Sequence, residues 1–148
     1  MQFELQVAIK LLFALLLGGI IGFEREKRHR PAGLKTNILV CIGSTLLTIL
    51  SFELFPDFPH LLAAAVSGVG FLGAGTIISS QNRILGLTTA ASLWLVAITG
   101  IAIGAGYLFP AALSVAICFF VLEGVFEGDI HVKDHVVYFC GDEEGGED

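Results

Sequence analysis

The chain has 148 residues, 55% of them hydrophobic and 15% charged, with a mean hydropathy of +0.83. That balance excludes a water-soluble domain of this size, which needs polar residues over most of its surface, and makes lipid the expected solvent. The net charge of -6 says little about partners, because nine of the fourteen carboxylates lie at or after Glu123 and the rest of the chain is mildly basic.

Roughly 20 helical residues cross the ~30 Å hydrocarbon layer, and five apolar segments reach or approach that length: 5–23, 36–55, 61–78, 88–105 and 107–122. No ten-residue polar/apolar alternation repeats, so a closed barrel is excluded. The first segment carries Glu4 and Lys10 and ends in Glu24-Arg25-Glu26 rather than a small-residue cleavage site, so it reads as a retained helix and not a signal peptide. The expected fold is an all-α membrane protein with five transmembrane helices over residues 1–123, followed by a short acidic tail over 124–148.

Threading these spans puts residues 24–35, 79–87 and the tail on one side, and the N-terminus, 56–60 and 104–106 on the other. Seven of the eight Lys and Arg residues then share the first side. The positive-inside rule makes that side cytoplasmic and the N-terminus external. Lys10, about two turns into the first span, either snorkels outward or faces the bundle.

Helices in lipid associate through close packing, which small residues permit. Gly18 with Gly22, Gly100 with Gly104, and Ala64 with Gly68 form such ridges; they serve packing within the chain first, and several on one short chain also make a homodimer a candidate. In the third span, Ser67-Gly68-Val69-Gly70-Phe71-Leu72-Gly73-Ala74-Gly75 is either unwound around a ligand site or a continuous helix whose glycines admit close neighbours. Gly33-Leu34-Lys35-Thr36 before the second span and Gly86-Leu87-Thr88-Thr89 before the fourth, with Gly22-Phe23 and Gly70-Phe71 upstream, suggest a parallel repeat of two helical hairpins plus a fifth helix.

The residues with chemistry gather at the cytoplasmic edge. Lys27, Arg28 and Arg30 are ordinary interfacial anchors, but anchoring does not account for Glu24 and Glu26. Helix N-termini near Thr36 and near Thr88 or Thr89 offer unpaired amides that carboxylates cap. Two readings stand: a functional polar cluster of Glu24, Arg25, Glu26, Thr36, Asn37, Ser67, Thr88 and Thr89 organised around Gly68, Gly70, Gly73 and Gly75, or a salt-bridged cap that fixes helix ends. Asn37, Ser44, Thr45, Thr48, Ser67, Ser92 and Thr99 are expected mostly as interhelical glue, and Trp94, near mid-span, as a packed residue or one whose indole has a buried partner, rather than a membrane anchor.

Cys41, Cys118 and Cys140 lack the spacing of a zinc or redox pair. In the tail, Asp129, His131, Asp134 and His135 imitate a metal cluster, yet a strand pattern there sets the two histidines about 13 Å apart, too far for one ion. The sequence contains no nucleophile with its base, no phosphate-cradling loop and no basic-aromatic surface for nucleic acid, so neither an enzyme nor a nucleic-acid binder is expected.

Glu24 to Glu26, Pro31-Ala32-Gly33-Leu34-Lys35-Thr36, Ser67 to Gly75, and Gly86-Leu87-Thr88-Thr89-Ala90-Ala91 with Leu93-Trp94 form an ordered set that resembles the MgtC/SapB family of membrane proteins. Two departures stand out: Ala64 occupies a position where the family often has Gln, and the larger soluble C-terminal domain of its best-known members is represented by only about 25 residues, as in the short, SapB-like branch. The resemblance implies a bacterial cytoplasmic-membrane protein linked to growth in low magnesium and, in some pathogens, to survival inside host cells and restraint of the proton-translocating ATP synthase. It implies no resident cofactor; Mg²⁺ enters only as a candidate ligand, with few carboxylates in the spans to hold it. The expected function is a regulator or accessory factor in magnesium homeostasis acting on a membrane protein partner; a magnesium or other small-ion transporter or channel is the alternative.

Overall fold

The computed structural model describes residues 2–54, 60–80 and 83–124. Five helices follow one another: α1 (Gln2–Lys27), α2 (Leu34–Leu54), α3 (His60–Ala74), α4 (Leu87–Gly104) and α5 (Leu108–Glu123). Three of them, α1, α2 and α4, are long and apolar enough to cross a membrane. The apolar helices α3 and α5 have 15 and 16 residues, which at 1.5 Å per residue gives only about 22–24 Å.

The structure departs from an all-helical chain between α3 and α4, where β1 (Ile78–Ser80) and β2 (Arg83–Leu85) pair antiparallel with Ile78 opposite Leu85. The expected third span of 61–78 is therefore too long. Hydropathy carries it through Ile77 and Ile78, but the helix ends at Ala74, where the Thr76 amide and hydroxyl both donate to the Gly73 carbonyl. That turns the chain into β-branched residues suited to a strand. Gly86 then starts α4 at φ 92, and a Cβ there would run into the Thr76 carbonyl. The left-handed conformation and the close approach each require glycine.

Helix α2 is the spine of the bundle. On one side, added Cβ atoms at Gly18 and Gly22 of α1 would lie 2.9 Å from Cys41 Cβ and 2.7 Å from Leu34 Cα. On the other, one at Gly100 would strike the Cys41 carbonyl, and one at Gly104 would lie 2.6 Å from Thr48 Cβ. Two of the three small-residue ridges thus serve packing within the chain, at backbone contact. Between them a buried cluster including Ala14, Leu17, Ile21, Val96, Ile103, Val115 and Leu122 fills the interior.

The glycine-rich helix behaves differently. It is continuous through Gly68, Gly70 and Gly73, so the unwound alternative is not what forms. Of these three, only Gly73 meets a neighbour, with Ala90 Cβ 3.4 Å from an added Cβ; Gly68 and Gly70 face open space. Buried positions on α3 are Val69 and Gly73, while Phe71 is 82% exposed.

Candidate functional site at one end of the bundle

The last turn of α1 carries adjacent charges into the interior. Glu24 is 2% and Arg25 3% exposed, and their side chains meet fork to fork, Arg25 Nε donating to Glu24 Oε2 at 2.5 Å and Nη2 to Oε1 at 3.0 Å. One turn later Arg28 Nε lies 2.8 Å from the same Oε1. One buried carboxylate therefore holds two guanidinium groups, the bidentate geometry that charge-assisted hydrogen bonds favour. Both carboxylate oxygens are occupied by Arg side chains, so these residues do not fit a Mg²⁺ ion bound at Glu24, which would have to displace them.

Glu26 is exposed, and its Oε2 accepts from the Leu34 amide at 2.8 Å, capping α2 across the turn. His29 shapes that turn at φ 53, in the left-handed region that His visits more readily than most residues. Asn37, fully buried, donates from Nδ2 to the Ala32 and Gly33 carbonyls at 3.0 and 2.9 Å. Its Oδ1 is the buried side-chain atom without a partner among the described residues. Helix α4 has no side-chain cap; Gly86 and the hairpin set its start.

The other expected members separate by exposure. Thr89 is buried near the start of α4, with Ser92 donating to its carbonyl, whereas Thr36, Ser67 and Thr88 are exposed. No hydrogen bond or ion pair among the described residues ties those three to Glu24 or Arg25. The structure thus brings together Glu24, Arg25 and Arg28 in one knot and Glu26 and Asn37 in the adjoining α1–α2 turn. Arg28, treated as an anchor by sequence reasoning, belongs to the knot; its i, i+4 spacing from Glu24 was the available signal.

The interhelical glue is sparser than expected. Thr45 donates to the Gly100 carbonyl across to α4, and Thr99 pairs with Ser114 on α5, but Thr48 donates to the Ser44 carbonyl and Ser92 to that of Thr89 within their own helices. Trp94 is not packed inside: it is 49% exposed. Leu87 and Ala91, seven and three residues before it, are exposed, and Ile98, four residues after it, is half-buried. Together they mark the outward strip of α4, a direction that position along the span does not reveal. Lys10 does face the bundle, donating to the Gly104 carbonyl at 2.8 Å. The Asp129, His131, Asp134 and His135 set, Cys140 and the acidic tail lie outside the described residues.

Over most of its length, residues 11–127, the sequence fits the MgtC family. The chain belongs to the MgtC family. It is 48% identical over 103 residues to Protein MgtC of Brucella abortus (strain 2308), covering 68% of this chain and 43% of that protein. Protein MgtC of Salmonella typhimurium (strain LT2) is 46% identical over 110 residues, 74% of this chain and 47% of the relative, and an uncharacterized protein of Haemophilus influenzae is 41% identical over 117 residues, 71% and 49%. The chain spans about half the length of these MgtC relatives. No solved structure matches it.

Proposed function

We propose that this MgtC-family chain is a membrane regulator or accessory factor in magnesium homeostasis. It sits in the bacterial cytoplasmic membrane as a five-span bundle with the Glu24 end facing the cytoplasm, and it acts by contact with another membrane protein rather than by passing ions. The resemblance of its motifs to the MgtC/SapB family supplies the magnesium link and the kind of partner, the proton-translocating ATP synthase being the example it implies.

The observation that carries the choice of regulator over carrier is the packing. Helix α2 meets α1 and α4 at Gly18, Gly22, Gly100 and Gly104 so closely that a methyl group would not fit. The hydroxyls of Thr45, Thr48 and Ser92 on α2 and α4 are engaged with carbonyls, and a route for a hydrated cation needs open, polar space there. Helix α3 presents an open glycine face instead, at Gly68, Gly70 and Phe71. A partner helix, or a second copy in a homodimer, gains close approach at those glycines.

Complementation tests the reading in a strain lacking its own MgtC-type protein and growing in low magnesium. Gly70→Leu adds bulk only on the open face; normal protein level and helicity with lost growth rescue are expected. Full rescue by Gly68→Leu/Gly70→Leu would rule out action through this face.

A further inference from the structure

At the end of the bundle opposite the Glu24 knot, about 21 Å away along α1 at 1.5 Å per residue, lies a second polar feature. A cavity of about 130 Å³ opens between the first turns of α1, the last turn of α2 and the C-terminus of α4, lined among others by Phe3, Gln6, Lys10, Phe52, Glu53 and Gly104. Lys10 gives one ammonium hydrogen to the Gly104 carbonyl, which leaves two donors on the same nitrogen. Glu53 lines the cavity as a carboxylate that can only accept. Among the described residues neither side chain makes an ion pair. A cation with unused donors and an anion with unused acceptors therefore face one small space without meeting.

We infer that this cavity binds a zwitterion bearing a primary amine and an anionic phosphate, the aminoethyl phosphate group, with the phosphate on Lys10 and the amine on Glu53. Lys10 is half-buried and Glu53 exposed, so an anion alone would use only Lys10 and a cation alone would be repelled by it, whereas a zwitterion pairs with both and adds no net charge. Water fills such a space too; at ~30 Å³ each, about four molecules fit. The walls favour an organic occupant, because Phe3 and Phe52 are about half exposed (51% and 53%) beside the polar groups and give methylene and acyl carbons an apolar seat. The same chemistry comes from a phosphatidylethanolamine headgroup or from free aminoethyl phosphate, and the aromatic rim at the helix ends favours the lipid. The inference requires membrane placement of the bundle but not the regulator reading.

Native mass spectrometry of the detergent-purified full chain, titrated with phosphatidylethanolamine and separately with phosphatidylcholine, tests it. The quaternary amine of the second lipid has no hydrogen to donate, so the first is expected to be retained about tenfold better, the ratio one charge-assisted hydrogen bond supports. Glu53→Gln should abolish the preference, and Lys10→Met should lower retention of both lipids, which share the phosphate that Lys10 would hold. If Lys10→Met misfolds by uncapping Gly104, Glu53→Gln decides, since Glu53 makes no hydrogen bond that supports the fold among the described residues. Free aminoethyl phosphate, followed by saturation-transfer NMR, separates the sources: binding lost in Glu53→Gln without lipid preference assigns the site to the soluble compound. Equal retention of both lipids by all variants, together with no binding of the free compound, would overturn the inference and leave a water-filled cavity.

Discussion

Replacing Glu24 is the perturbation whose consequence the structure predicts most sharply. Glu24→Gln keeps the shape but replaces one of two accepting oxygens by a donor and removes the charge that holds Arg25, which is 3% exposed, and Arg28, whose side chain is 31% exposed. Leaving a buried charge uncompensated costs about 3–5 kcal/mol, while the half of the knot that reaches Arg28 is worth less than about 1 kcal/mol after solvent screening. Arg25→Met should cost less than Glu24→Gln, because Glu24 keeps Arg28 at 2.8 Å. Replacing the pair together, Glu24→Leu/Arg25→Leu, should return stability to within about 1–2 kcal/mol of the parent, since apolar residues of similar volume often match a buried ion pair. Reversible unfolding in mixed micelles, followed by helical circular dichroism, gives all three values. A Glu24→Gln cost below that of Arg25→Met, or a double variant as unstable as the sum of the singles, would refute the reasoning. The order also bears on function, because loss of activity in Glu24→Gln alone would not separate a functional role from a folding defect.

The glycines of the bundle should divide by their surroundings. Gly100→Ala is expected to destabilise by about 1–3 kcal/mol through overpacking against the Cys41 carbonyl, while Gly70→Ala, which meets nothing within 4 Å, should be neutral or stabilise α3 by up to about 1 kcal/mol; the same unfolding assay compares them. Glu26→Ala should cost about 1 kcal/mol by uncapping Leu34, with Glu26→Gln retaining most of it. Gly86→Ala should cost more than about 1 kcal/mol, because the new side chain meets both a left-handed backbone and the Thr76 carbonyl; hydrogen exchange should place the loosening at the hairpin and the first turn of α4.

Much of this arrangement is legible in the chain. The five helices follow from apolar runs set between charged or glycine-bearing turns, and the pairing of Gly18 with Gly22 and of Gly100 with Gly104 marks the two faces that meet α2. The cap on α2 follows from a carboxylate just past the first apolar run, although spacing alone does not say that Glu26 caps while Glu24 turns inward. Residues two apart on a helix point about 160° apart, and only the packed neighbours decide which is buried. The end of α3 is not legible from hydropathy, because Ile77 and Ile78 are as apolar in a strand as in a helix. Nor is the open face of α3: four glycines in one segment signal close approach, and whether the approaching surface belongs to the same chain depends on α2 and α4 having met elsewhere. The contact between Lys10 and the Gly104 carbonyl joins residues 94 apart, a separation over which no local pattern speaks.

The central claim is that the bundle is sealed and acts through its surface. Magnesium flux into proteoliposomes holding the folded protein, read with an entrapped fluorescent indicator beside protein-free vesicles and a known magnesium channel, tests it most directly. The account predicts uptake no faster than in the protein-free vesicles. Saturable uptake above that level, lost when Gly100→Ala crowds the seam between α2 and α4, would contradict it and make this chain a carrier.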